Sequence, residues 1–521
     1  MKNKIFAILA IVTVAIAAIA FFFMHSKKDT DTSYQNIIPK DASLVASIDL
    51  QSLNAKADLE QWAKANKHIK KYIDSPEDLG IDYAAPVFVF VTHEGDQMGI
   101  ACSVANSNSL EAAVNKMTKA SKKSKAVTNI DGLKVAKVND ADIFFNSNTA
   151  LILFCDTAKT QAVGSAKKLF ALGKDDRYIN TTEGVQLLRD IKDPSCKNDI
   201  MGILDYSAFK HLPQEYHLFL PLPSSINPEN VRARIFGNFT NGETALYYKL
   251  YGTTAERSAE LKNYADKLHP LKGDFTNLFD KSCVAFATVN LNENMASNGL
   301  DRIYEYLKSD EDLKFITQGP NTDKTINKLK SIATETEGDA AIAIGYDEDA
   351  DFPISISVAS NLKSTKFLSD ANYWMNYINK NSQVINAYLD AEDAPSKLME
   401  KVDDNNYAIN LLGTKINLGV NSNIFYITTK ESAKAMFATA PKGKLAQIES
   451  DLMAYKQKYG FVVIDFENIK GYASDFSNFG SIADICNHLV YLSPAPLEGL
   501  IRLDLTDKEQ NALKCLLNQI F

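Results

Sequence analysis

The sequence predicts an α+β protein of two related halves, each with antiparallel sheet hairpins packed on helices, preceded by an N-terminal transmembrane helix. Three observations predict it. Short strings recur in order along the chain: Ser103-Val104-Ala105 returns as Ser357-Val358-Ala359, Asn146-Ser147-Asn148 as Asn421-Ser422-Asn423, and His217-Leu218 as His488-Leu489. Ordered self-similarity of this kind is the signature of an internal repeat. Apolar runs come in pairs around short polar turns and are followed by apolar residues spaced three and four apart, the alternation of hairpins and helices. Finally, an unbroken apolar stretch opens the chain.

That opening sets the first element. After Lys2 and Lys4, residues 5–24 are uncharged and almost wholly apolar, and twenty residues at ~1.5 Å each span a bilayer core. Residues 1–24 are therefore expected to be a transmembrane anchor or a signal. Phe21-Phe22-Phe23 directly follows the small residues Ala18-Ile19-Ala20. The apolar run thus outlasts the ~7–15 residues of a cleavable signal, which favours a retained anchor and leaves cleavage as the alternative. Residues 25–36 form a polar linker. The body is expected on the extracytoplasmic side of a bacterial envelope, single-pass and facing the periplasm.

The first α+β repeat is expected over 37–270 and the second over 271–521. The first opens with a strand ending at Asp49, then a helix through Leu59, Trp62, Ile69 and Ile73. A hairpin of Val87–Val91 and Met98–Ala105 follows, turning at residues 93–96, and the second half repeats it with 341–346 and 354–359. Helical spacing comes next in both halves (Leu110, Val114, Met117; Phe367, Ala371, Trp374, Ile378), with Asn108 and Glu111 placed as a capping box. Strand pairs then flank the two Asn-Ser-Asn turns, at 142–145 and 150–154 and at 415–420 and 424–428. Asp49, Asp205, Asp465 and Asn290 each end an apolar run, and their repetition reads as helix capping rather than as catalytic carboxylates.

At 521 residues, 45% hydrophobic and 23% charged, the chain has material for several cores. Its net charge of -8 repels nucleic acid, so no nucleic-acid partner is expected. The basic run Lys116, Lys119, Lys122, Lys123 and Lys125 reads as a solvated helix end favoured by the helix dipole. The cysteines at 102, 155, 196, 283, 486 and 515 include no Cys-x-x-Cys pair. Neither a zinc site nor a disulfide framework follows.

The body's opening, IIPKDASLVASIDLQSLNAKADLEQW over residues 37–62, resembles that of a family of exported Bacteroidetes envelope proteins of unknown function. Its members begin with a similar Ile-Pro-x-Asp-Ala, strand, Asp-Leu-x-Ser-Leu signature and are usually lipoprotein-like. The resemblance implies an envelope location and brings no catalytic residues with it. Lipid anchoring requires a cysteine at the end of the signal, whereas the first cysteine here is Cys102, so a protein anchor takes that role.

The seven histidines include no His-Glu-x-x-His pair, and no Gly-x-Ser-x-Gly elbow, phosphate loop or dinucleotide glycine pattern occurs. The acidic clusters around 347–351 and at Asp403-Asp404 lack the spacing and glycine of an EF-hand loop. No catalytic, cofactor or metal residues are therefore assigned. The candidate partner or ligand segments are the matched apolar ones, His217, Leu218, Phe219, Leu220 and Pro221 and then His488, Leu489, Val490 and Tyr491, expected as loops covering each sheet or, if exposed, as docking surfaces. The expected function is a non-enzymatic, membrane-tethered envelope protein that binds or scaffolds a protein, peptide or lipid partner. A carrier of an apolar ligand or lipid and a hydrolase of unrecognised type are the alternatives.

Overall fold

The structure, a computed structural model, describes residues 32–65, 79–92, 97–120, 124–139, 141–155, 162–211, 226–309, 322–346, 354–380, 382, 397–411, 414–431, 436–437, 457–469 and 484–520. These residues mix helices with extensive antiparallel sheet and fall into two compact units. Unit 1 is drawn from Met1–His211, Pro228–Ser258 and Leu505–Phe521, and unit 2 from Leu212–Asn227 and Ala259–Asp504.

Among the described residues, unit 1 carries the strands β1 (Leu44–Ile48), β2 (Val87–Val91), β3 (Gln97–Ser103), β4 (Lys125–Ile130), β5 (Leu133–Val138), β6 (Ala141–Phe145), β7 (Thr149–Cys155), β8 (Ile200–Asp205), β9 (Val231–Thr240) and β10 (Glu243–Gly252). Their pairings, all antiparallel, give the order 4-5-6-7-3-2-1-8-9-10. Unit 2 carries β11 (Cys283–Leu291), β12 (Thr336–Tyr346), β13 (Ile354–Leu362), β14 (Met399–Lys401), β15 (Asn406–Leu411), β16 (Thr414–Asn421), β17 (Ile424–Thr428), β18 (Gly460–Asp465), β19 (Cys486–Ser493) and β20 (Glu498–Leu505). Their order is 14-15-16-17-13-12-11-18-19-20. Subtracting ten from each label reproduces the order of unit 1. Neither sheet closes on itself among the described residues.

Helices follow corresponding strands. Leu50–Ala57 follows β1 as Glu293–Ser309 follows β11; Ser107–Ala120 follows β3 as Ala371–Lys380 follows β13; Ala255–Ala265 follows β10 as Ala512–Ile520 follows β20. The C-terminal helix packs on β9, β10 and Leu50–Ala57, where the Trp62 indole N–H donates to Asn518 Oδ1 at 2.7 Å.

The residues predicted for each hairpin form it, because alternating apolar positions place one strand face in the core. In unit 1 that face presents Val45, Phe88, Phe90, Leu151 and Met201 to Tyr34, Ile37, Ile38 and Leu187. In unit 2 it presents Phe286, Phe461, Val463 and Val490 to Leu271, Phe275 and Phe279. Each such side chain, taken fully from water, contributes roughly 1.5–3 kcal/mol.

Three of the four strand-end residues act as expected. Asp49 accepts from Ser52 N at 2.9 Å, Asp465 from Asn468 N at 3.1 Å and Asp205 from Ser207 N at 2.9 Å. Asn290 does not cap: β11 runs on to Leu291, and Asn292 accepts from Met295 N at 3.0 Å instead. Likewise Asn106, two residues before the expected Asn108, receives the N–H groups of Asn108 and Ser109. The basic run is divided, since the helix ends at Ala120 and Lys125 begins β4. The Asn-Ser-Asn strings occupy equivalent turns, β6–β7 and β16–β17. Ser103 and Ser357 do not, because Ser103 pairs with Thr149 at the start of β7 and Ser357 with Thr428 at the end of β17.

The expected membrane helix at 5–24 lies outside the described residues. Among the described residues no helix is long and apolar enough to cross a membrane.

Candidate functional site: a charged cleft in unit 1

Of the sequence-predicted segments, His217, Leu218, Phe219, Leu220 and Pro221 lie outside the described residues. His488, Leu489, Val490 and Tyr491 lie within β19, a paired strand of the sheet rather than a loop over it. Val490 is fully buried in the unit 2 core, and His488 Nε2 stands 3.8 Å from the buried carboxylate of Asp465, its cross-strand partner. Strand order makes β9 the counterpart of β19, and there Arg232 faces Asp205 as His488 faces Asp465. The residue that matches His488 in position is therefore Arg232, not His217.

Arg232 lines a cleft of about 260 Å³ in unit 1, together with Lys40, Tyr178, Thr181, Glu183 and Asp205. The cleft is built by two local devices. On the sheet side, alternation along β9 puts Arg232, Arg234 and Phe236 on one face, opposite Asp205, Ile203 and Met201. Arg232 Nη1 donates to Asp205 Oδ1 at 2.7 Å, and Arg234 pairs with the buried Asp190, which also accepts from Gln186 at 2.8 Å. Asp190 and Gln186 belong to the helix Thr182–Lys192, so this polar contact seats the helix on the sheet.

On the other side, that helix begins against the chain's own lead-in. Thr181 caps it, accepting from Gly184 N at 3.0 Å while its hydroxyl donates to Tyr178 O at 2.7 Å. Gly184 is required by close approach: a Cβ there would lie 2.0 Å from Tyr178 O. Tyr178 N donates to Ile38 O and Lys40 N to Asp176 O, both at 2.9 Å. These two bonds clamp the segment before β1 to the wall of the cleft.

The charges divide into satisfied and unsatisfied groups. Lys40 is paired with Asp176 at 2.7 Å and Arg232 with Asp205. Glu183 and Asp41 have no ion-pair partner among the described residues. Glu183 sits in the first turn of its helix, where a carboxylate is favoured by the dipole. Tyr178 is only 5% exposed, and its buried hydroxyl makes no hydrogen bond among the described residues. Burial above all, with Tyr251 and Glu183 nearby, holds that hydroxyl well above the usual tyrosine range, so it stays protonated. Tyr251 is itself pushed up to about 12, by burial and then by Glu183.

Burial pushes the Cys102 thiol far up and the Cys283 thiol up to about 12, which keeps both from acting as thiolates. Among the described residues no group of three or more His, Cys, Asp or Glu gathers to hold a metal ion. The cleft was missed in the sequence because its residues come from four separated segments. The legible signals were the alternation Val231-Arg232-Ala233-Arg234-Ile235-Phe236 and the cap Thr181 before Glu183-Gly184.

Fold and site thus define an α+β protein with a small charged cleft in one of its two antiparallel units. The family model described as "Domain of unknown function (DUF4836)" matches residues 34–513, and the chain belongs to that family. No curated protein matches it. Among solved structures the chain is similar to crystal form III of TP0453, 11% identical, with 47% of this chain and 88% of that one covered at a TM-score of 0.30. It is also similar to crystal form I of the same protein, 10% identical over 47% and 89% of the two chains, at 0.28.

Proposed function

We propose that the chain is a non-enzymatic envelope protein, a duplicated α+β body tethered by its N-terminal apolar segment, that binds an extracytoplasmic partner through the unit 1 cleft. The observation that carries this reading is the cleft itself, about 260 Å³ and lined by the charged side chains of Lys40, Asp41, Glu183, Asp205 and Arg232. Matching strand order in the two units supports duplication. The tether and the extracytoplasmic placement rest on residues 1–36 and on the likeness of 37–62 to exported Bacteroidetes proteins.

Two measurements test the two parts. A periplasmic reporter fused after residue 36 is expected to be active, and activity from a cytoplasmic reporter alone would overturn the placement. Native mass spectrometry of the full-length chain, released from the envelope in mild detergent, is expected to show a co-purifying mass. That mass should be reduced in Glu183→Gln, and a bare mass counts against the binding role.

A further inference from the structure

β4 begins the strand order of unit 1 and β14 that of unit 2, and each pairs on one side only among the described residues. An edge of this kind is a row of backbone N–H and C=O groups open to a strand from another chain. In β14 the ladder to β15 uses Leu398 O, which accepts from Asn410 N at 2.8 Å, and Val402 N, which donates to Asn406 O at 2.9 Å. Alternation then turns the backbone groups of Met399 and Lys401 outward. Those of Met399 are already taken: Met399 N donates to Asn379 Oδ1 at 2.8 Å, and Asn379 Nδ2 donates to Met399 O at 2.9 Å. Two bonds from one residue to the N–H and C=O of another are what the next antiparallel strand would supply.

β4 is treated in the same way. Its register with β5 shifts between Lys125 and Thr128 and passes over Val127, and Val127 N donates to Asn115 Oδ1 at 3.1 Å. Asn115 is the ninth residue of the helix Ser107–Ala120, and Asn379 the ninth of Ala371–Lys380, the helices that follow β3 and β13. The two helices match as Val114-Asn115-Lys116 and Ile378-Asn379-Lys380 and at few other positions. We propose that Asn115 and Asn379 are duplicated edge guards, whose amides stand in for a neighbouring strand and hold both sheet edges closed against strand addition by a second copy of the chain. A polar tie that only seats the helix fits less well. Trp374, Met375 and Ile378 already pack against Met399 and Tyr407, and seating does not call for both outward backbone groups of one edge residue. The guards are not equal, because β4 also carries a bulge and Lys125, two further devices that blunt an edge.

The test is sedimentation equilibrium of the full-length chain in density-matched mild detergent, with a thermal melt of each sample. Asn379→Ala is expected to tighten self-association by about tenfold or more, the scale of one or two backbone hydrogen bonds. Asn115→Ala should do so by about threefold or less. Adding Lys401→Pro to Asn379→Ala removes an outward N–H that an added strand would use, and should return self-association to that of the unaltered chain. Asn379→Asp keeps the oxygen that accepts from Met399 N and loses the donor to Met399 O, so it should fall between the unaltered chain and Asn379→Ala; it serves as the test should Asn379→Ala not fold. A lower melting temperature with unchanged mass in these variants would make Asn379 a seat for its helix and overturn the proposal. Association that survives Lys401→Pro would also overturn it, since the contact would then not run through the β14 edge.

Discussion

Units 1 and 2 share one strand order but fill one stretch of it in opposite ways. In unit 1 the inner face of β9 reads Arg232, Arg234, Phe236 against Asp205, Ile203, Met201; in unit 2 the same face of β19 reads His488, Val490, Leu492 against Asp465, Val463, Phe461. The second set continues the apolar core. The first ends that core early and replaces it with two arginine–aspartate pairs. A strand face can therefore serve as core or as binding wall with no change of topology, because period-two alternation sets only where side chains point. The site lies in the unit that gives up apolar burial.

The two units also bury a carboxylate by different means, and the largest expected effect comes from testing that difference. Asp339 in unit 2 is wholly buried and accepts three successive backbone N–H groups, from Lys272 at 2.9 Å, Gly273 at 2.6 Å and Asp274 at 3.2 Å, together with Asn290 Nδ2 at 3.0 Å. Gly273, at φ 86°, is in the left-handed region and lets those groups converge. Asp199 in unit 1, equally buried, is held by Lys56 Nζ at 2.8 Å, Ser52 Oγ at 2.7 Å and Phe239 N at 2.8 Å. Asp339→Ala strands backbone donors that have nowhere to move, and is expected to cost about 3–5 kcal/mol. Asp199→Ala frees a lysine whose side chain is 38% exposed and can turn to water, and should cost about 2 kcal/mol. Urea unfolding midpoints measure both, and the reverse ranking would contradict this account.

Glycines sharpen the contrast next. Gly184→Ala in unit 1 drives a Cβ into Tyr178 O, and overpacking of that kind costs about 1–3 kcal/mol. Gly299, within the unit 2 helix Glu293–Ser309, has nothing within 4 Å of the position a Cβ would take. Gly299→Ala is therefore expected to stabilise by about 0.5–1 kcal/mol through helix propensity. Thermal melts of the two variants should move in opposite directions. Gly184→Ala should also weaken binding in the cleft, since Thr181, Glu183 and Tyr178 move with the helix start.

Much of the sheet was legible because hairpins are local: Val87–Val91 with Gln97–Ser103, and Thr336–Tyr346 with Ile354–Leu362, are adjacent in sequence and alternate cleanly. The pairings of β1 with β8 and of β11 with β18 were not, because they join residues more than 150 positions apart and no local pattern encodes them. Short strings misled for the same reason. His217 and His488 share two letters, yet register places Arg232 where His488 stands. The acids Asp49, Asp205 and Asp465, read only as caps, do mark the ends of β1, β8 and β18. What they could not reveal is that Asp205 also holds the cleft's arginine.

The smallest effect is a pH-dependent one, at the turn that opens each sheet. Asp41-Ala42-Ser43 precedes β1 and Asp280-Lys281-Ser282 precedes β11. Asp41 is exposed, whereas Asp280 accepts from Lys430 Nζ at 2.6 Å and from Ser282 Oγ at 2.7 Å. Burial alone would push the Asp280 carboxyl up, but Lys430 and Ser282 outweigh it and hold the carboxyl below the usual aspartate range. A folded value below the unfolded one means that the stabilisation is fully present above the unfolded carboxyl's ~3.9 and is lost as pH falls through the folded value. Lys430→Met is therefore expected to cost about 1 kcal/mol at neutral pH, a half-buried pair being worth little more than an exposed one. By about pH 3 the cost should shrink, as protonation of Asp280 removes the charge that Lys430 serves. Asp41→Asn, with no pair to break, should stay within about 0.5 kcal/mol at both pH values. A Lys430→Met cost that did not change with pH would mean that Lys430 acts through its methylene packing rather than through its charge.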